Sequence, residues 1–212
     1  MRRAVLLAVL ALACAVPAPA APVFATSYSM LNGQTGSFNY WDESYTGLGS
    51  KFVDGAALSG GLGDLTDGVI ASVGWFAAES PAGAGPYVGW DGITPSITFN
   101  FAAGTVVNAL TIHVDDSNGF GGVSTPSGAR INGGAIIPLA DGASGAPLAF
   151  TFANLNSSGP LTLELFDGAG PWVFLSEVEF DGRTTAVPEP ATLSLLVLAG
   201  AGFTARRRAR RG

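Results

Sequence analysis

Between residues 26 and 186 the chain carries fifteen carboxylates, three cations (Lys51, Arg130 and Arg183) and one imidazole, His113. Its single cysteine, Cys14, lies outside that stretch. One histidine, no cysteine and no Gly-x-Ser-x-Gly elbow leave little from which to build a catalytic triad or a histidine-rich metal site. What remains is oxygen chemistry. Asp115 and Asp116, followed by Ser117-Asn118-Gly119, could ligate calcium or, with Glu164, serve a glycoside hydrolase. Neighbouring strand residues point to opposite faces, so a catalytic pair across a sugar needs a local distortion, and a solvated turn satisfies the same residues. Trp75, Tyr87, Trp90, Phe120 and Trp172 stand near expected loop ends, where ring faces can stack on sugars, although buried tryptophans are the commoner case. Arg130 could donate to sugar hydroxyls, and His113 reads as a half-exposed strand residue.

The charge balance narrows the partners. The whole chain has a formal net charge of −6, but the stretch from 26 to 186 holds fifteen acidic side chains against three basic ones, a net of −12. Such a surface repels nucleic acid and anionic polymers and gathers divalent cations.

The elements that must position these residues are strands. Ile97, Phe99 and Phe101 alternate with Thr98 and Asn100, and Leu110, Ile112 and Val114 alternate with Thr111, His113 and Asp115. The same period of two runs through Leu148, Phe150 and Phe152, through Leu161, Leu163 and Leu165, and through Phe174, Val178 and Phe180 against Glu177 and Glu179, which predicts half-buried strands. Val69 to Val73 is expected to form a further strand after the Asp67-Gly68 turn, while residues 26–66, rich in glycine and serine, read as short strands and loops. Turn dipeptides at Asp91-Gly92, Asn118-Gly119, Asn132-Gly133, Asp141-Gly142, Asp167-Gly168 and Asp181-Gly182 separate the strands. No amphipathic helix of useful length interrupts them. The fold class is therefore all-β, and the spacing suits a β-sandwich or jelly roll with one core.

Both ends differ from the middle. Arg2-Arg3, an apolar run from Ala4 to Val16 and the small residues Ala18-Pro19-Ala20 read as a secretory signal peptide over residues 1–25, with cleavage after Ala20 or Ala25. At the other end Pro188-Glu189-Pro190 precedes an uncharged run from Ala191 to Ala205 and the arginines 206, 207, 208, 210 and 211. At 1.5 Å per residue that run covers roughly 22 Å of a hydrocarbon core of about 30 Å, a minimal transmembrane helix. The arginines would stay on the cytoplasmic side and put the preceding domain outside.

Pro-Glu-Pro, short apolar helix and arginine cluster in that order resemble the PEP-CTERM sorting signal over residues 187–212. The resemblance implies processing near Pro188, Glu189 and Pro190 by an exosortase-type enzyme, through an inner-membrane-anchored precursor, with delivery to the cell envelope or extracellular matrix. Residues 26–186 are the cargo. Within them Leu65-Thr66-Asp67-Gly68, Pro95 to Phe101 and Trp172 to Phe180 resemble the discoidin or galactose-binding-like jelly roll of many carbohydrate-binding modules. That resemblance implies a structural Ca2+ held partly by Asp67 and Glu177. Together these readings describe an exported, non-catalytic domain that binds polysaccharide, with Trp75, Tyr87, Trp90 and Arg130 as candidate ligand-binding residues. A glycoside-acting hydrolase and a purely structural matrix protein are the alternatives.

Overall fold

The computed structural model describes residues 21–83 and 85–184. Residues 1–20 of the expected signal peptide, the Pro-Glu-Pro motif, the apolar run and the arginine cluster lie outside the described residues, whereas residues 21–25 of the expected leader belong to the fold. In order, the described chain forms β1 (Ala21–Pro22), β2 (Ala25–Leu31), β3 (Ala57–Gly61), a 3-10 turn (Asp64–Thr66) and the one-turn helix α1 (Trp75–Ala78). There follow β4 (Val88–Asp91), β5 (Ser96–Phe101), β6 (Thr105–Val114), a second 3-10 segment (Ser117–Gly122), β7 (Gly128–Ile131), β8 (Ile137–Pro138), β9 (Leu148–Ser157), β10 (Leu161–Phe166) and β11 (Trp172–Thr184).

Alternation in β6 buries Leu110, Ile112 and Val114 completely while Thr111 and His113 stay half-exposed. β10 does the same with Leu161, Leu163 and Leu165. Burying those faces requires two layers, and two sheets form. One has the order β1-β11-β6-β9 with β4 also paired to β11; the other runs β3-β2-β5-β10-β7-β8. Every strand pair is antiparallel. The layers meet through side chains of opposite sheets: Phe180 of β11 packs edge-on against Phe99 and Phe101 of β5, with ring centroids 5.0 and 4.9 Å apart. The all-β sandwich expected from the periodicity is the fold observed.

Two expectations need correction. Val69 to Val73 is not a strand but an irregular segment with Val69, Ile70 and Val73 exposed. The edge of β11 is already taken by β1 at Asp181–Gly182 and by β4 at Trp172–Leu175, and the segment between them is tied through the Ala71 N–H to the Ser176 hydroxyl at 3.3 Å. Phe174 also does not share a face with Val178 and Phe180. Leu175 pairs with Val114 and Glu177 with His113, which leaves Ser176 as an extra residue in the ladder. Such a bulge reverses the side-chain phase. Val173 and Leu175 before it, and Val178 and Phe180 after it, belong to the inter-sheet core, whereas Phe174 joins a separate cluster.

Candidate functional site

That separate cluster is aromatic. Tyr40, Ala71, Trp75, Tyr87, Val123 and Phe174 are buried in it, with Phe38 and Trp172 half-buried at its margin. Phe174 stacks on Trp75 at 6.0 Å and 13° and takes the edge of Tyr40 at 4.6 Å. Above this base Phe76 and Phe120 each keep 58% of their surface exposed. They meet edge to face at 5.4 Å and 83°, Phe120 stacks on Trp75 at 5.8 Å, and Phe38 lies 6.0 Å from Phe76. Exposed rings on a buried aromatic floor form a rigid apolar platform with free faces.

The backbone that carries the two rings is pinned by the aspartate pair. Both aspartates are fully buried. Asp115 accepts the Trp75 N–H at 2.6 Å, fixing the start of α1, and the Ser117 hydroxyl at 2.9 and 3.0 Å. Asp116 accepts the Thr125 hydroxyl and the Gly145 N–H, both at 3.1 Å. Burial raises the Asp115 carboxyl above its usual range, opposed by the Trp75 N–H. Phe120 sits in a turn where Asn118, Gly119, Gly121 and Gly122 all have positive φ. Gly121 admits no side chain: its φ is +65° and a Cβ there would lie 2.4 Å from the Trp75 ring. The Trp75 indole N–H closes the unit on the Phe120 carbonyl at 3.2 Å.

Three of the four residues expected to contact a ligand are in the interior. Trp75, Tyr87 and Trp90 are 4%, 1% and 0% exposed, so none offers a free ring face. Their polar atoms are spent inside: the Tyr87 hydroxyl donates to the Val73 carbonyl at 3.0 Å and the Trp90 indole to the Leu31 carbonyl at 2.8 Å. Trp75 and Tyr87 form the floor instead, and Trp90 belongs to the inter-sheet core. Arg130 is on the other sheet, donating to Glu164 at 3.2 Å with its guanidinium 4.9 Å over the Phe166 ring. Of the carboxylates of the hydrolase alternative, Glu164 is on β10 of that same sheet, whereas Asp115 and Asp116 follow the end of β6, a strand of the other sheet. Sequence reasoning missed the display role of Phe76. The signal was its adjacency to Trp75, since a buried ring on one turn of helix leaves its neighbour pointing outward.

Asp67 and Glu177 do come together. Both line a cleft of about 210 Å³, along with Pro22, Val23, Thr66 and Gly68. The Gly68 N–H donates to Glu177 Oε2 at 3.0 Å, and Asp67 Oδ1 accepts the Val69 N–H at 2.8 Å. Burial pushes the Glu177 carboxyl up to about 7, with Asp67 and Glu179 adding repulsion. Among the described residues no three acidic, histidine or cysteine side chains converge on one point. A cation here would complete its shell with backbone carbonyls and water, as calcium commonly does. His113 is a half-exposed strand residue, as expected, with its Nε2 within hydrogen-bond distance of Glu179 Oε2 at 2.8 Å.

No curated protein matches the chain in sequence. Among solved structures, a truncated AlyQ with CBM32 and alginate lyase domains is similar at 12% identity and a TM-score of 0.43, covering 79% of this chain and 35% of that one. The chain thus spans about a third of that protein's length. The CBM32 of AlyQ in complex with 4,5-unsaturated mannuronic acid is similar at 17% identity and a TM-score of 0.30, covering 44% and 75%. With both scores below 0.5, the fold assignment rests on the strand order and inter-sheet packing described above. Among the described residues no helix is long and apolar enough to cross a membrane. β11 ends at Thr184, and two residues further on, over residues 186–209, this chain carries a PEP-CTERM protein-sorting motif.

Proposed function

We propose that the chain is an exported protein, sorted through its PEP-CTERM motif by an exosortase-type enzyme to the cell envelope or extracellular matrix, where its sandwich binds polysaccharide without transforming it. The observation that supports binding is the pair of exposed rings, Phe76 and Phe120, held on a buried aromatic floor. Sugar rings present apolar C–H faces, and a preorganised aromatic surface stacks on them at little entropic cost. The charge indicates which sugars. The domain is strongly acidic, and its three cations, Lys51, Arg130 and Arg183, all lie outside the loops that carry Phe76 and Phe120. Uncharged glycans suit that surface and uronate polymers are repelled by it.

Affinity electrophoresis of the mature protein through gels of neutral and of uronate polysaccharides tests both points. Retardation is expected in at least one neutral gel. Phe120→Ala and Phe76→Ala should each weaken it by about 1 kcal/mol or more, roughly fivefold, with unchanged melting temperature. Equal mobility of wild type and both variants in every gel overturns the reading.

The same reading includes a structural calcium ion at Asp67 and Glu177. What supports it is that two carboxylates, hard oxygen donors of the kind calcium takes, line one cleft.

A further inference from the structure

The mature protein requires an N-terminus, and the fold discriminates between the two alanines at which the leader could be cut. We infer that the export peptidase hydrolyses the bond between Ala20 and Ala21, so that Ala21-Pro22-Val23-Phe24-Ala25 remain part of the working domain. Water adds across that amide, leaving a carboxylate on Ala20 and a free amino group on Ala21.

Residues 21–25 are structural. β1 pairs with β11 at Ala21 opposite Gly182 and Pro22 opposite Asp181. The Val23 N–H continues the ladder, donating to the Phe180 carbonyl at 2.9 Å. Val23 and Ala25 are both buried members of the inter-sheet core, and Ala25 opens β2 opposite Phe101 of β5. Pro22 through Ala25 also form one wall of the cleft that contains Asp67 and Glu177. A cut after Ala25 would remove all of this at once. It would uncover the edge of β11 at residues 180–182, and an unpaired edge with a core vacancy beside it invites both instability and strand-to-strand association. A cut after Ala20 leaves every described strand of both sheets intact. The local sequence agrees: Ala18-Pro19-Ala20 places small residues at both positions an export peptidase reads, whereas Val23-Phe24-Ala25 places the core residue Val23 at one of them.

The test is N-terminal sequencing and intact mass of the protein matured in an exporting bacterial host. The expected N-terminus is Ala21. A mature chain starting at Thr26, or at any other residue, overturns the inference. Two variants add independent readouts. Ala20→Leu places a bulky residue at the cut and should accumulate precursor; efficient maturation to Thr26 in this variant would overturn the assignment. A chain whose leader is fused directly to Thr26 should mature normally but melt well below wild type, and an equal melting temperature would mean that residues 21–25 are dispensable and the argument wrong.

Discussion

At the residue scale, the carboxylates act on the fold more than their number suggests. Asp115 is the clearest case, because it receives one backbone N–H and one hydroxyl from the two loops that display Phe76 and Phe120. Asp115→Ala strands those donors in the interior. It should cost about 2 to 3 kcal/mol, read in urea denaturation, and should abolish glycan binding even where the domain stays folded. Glu79 acts in the other direction. It is buried with no cation paired to it among the described residues, accepts the Tyr87 N–H at 2.9 Å, and is pushed by desolvation, with added repulsion from Asp64 and Glu43, from an ordinary 4.5 up to about 7. Asp42, which accepts the Tyr28 hydroxyl, is raised by burial to about 7 as well. A folded-state value above the unfolded one means that folding favours the protonated form. The stabilisation is therefore complete below the unfolded value and is lost as pH rises toward 7. The melting temperature should be higher at pH 5 than at pH 8. Glu79→Gln, which keeps an acceptor for Tyr87, should raise it at pH 8 and leave it nearly unchanged at pH 5. A variant with the wild-type slope would mean that Glu79 is solvated.

At the scale of elements, β11 decides which side chains reach which cluster. Its extra residue, Ser176, offsets the phase, so that Phe174 lies under the platform while Val178 and Phe180 stay between the sheets. Deleting Ser176 would set Leu175 and Val178 two positions apart, so the strand regains strict alternation with Val173, Leu175, Val178 and Phe180 on the core face and Phe174 on the other. Cooperative thermal unfolding should survive that deletion, and its loss would mean that Ser176 does more than offset the phase; Phe174→Ala should keep the fold at a cost of about 3 to 5 kcal/mol and loosen the platform. These details also mark how far the sequence could be read. Strict alternation in β5, in β10 and in β6 from Leu110 to Val114 made the sandwich legible, because each of these runs keeps one phase and one buried face. The bulge in β11 was not legible, since a phase change looks the same as an imperfect pattern. The failure of Val69 to Val73 to pair was hidden for a different reason: which strands already occupy an edge is decided by residues over a hundred positions away. At the site, Phe120 and Trp172 stood out as loop-end aromatics, but composition alone does not separate a ring that forms a floor from one that forms a surface. Trp75 and Phe76 are neighbours with opposite fates.

At the scale of the whole molecule, the net charge of −12 between residues 26 and 186 makes cations general stabilisers, so a specific calcium site must be separated from screening. Extracellular modules bind calcium with dissociation constants of about 10⁻⁴ to 10⁻³ M, and at roughly ten times that constant the gain is about 1.4 kcal/mol. For a domain of this size the melting temperature should rise roughly 3 to 6 °C. Magnesium at equal ionic strength should give less, because it demands a tighter octahedral shell. The difference between the two ions should vanish in Asp67→Asn and Glu177→Gln; equal melting temperatures in calcium, magnesium and chelator would end the calcium assignment.

The pairing of Ala21 with Gly182 sets the two ends of the domain side by side, while Trp172, at the far end of the same thirteen-residue strand, borders the platform. At about 3.3 Å per residue that strand separates its C-terminal end at Thr184 from the platform end by about 40 Å. The described domain is therefore polar as an object: its chain ends and its exposed aromatic rings are at opposite poles. Beads coupled through the C-terminal end should hold every copy with Phe76 and Phe120 outward and retain full binding capacity. Beads coupled through a cysteine introduced beside Phe120 should retain almost none, although the protein on both kinds of bead is equally folded.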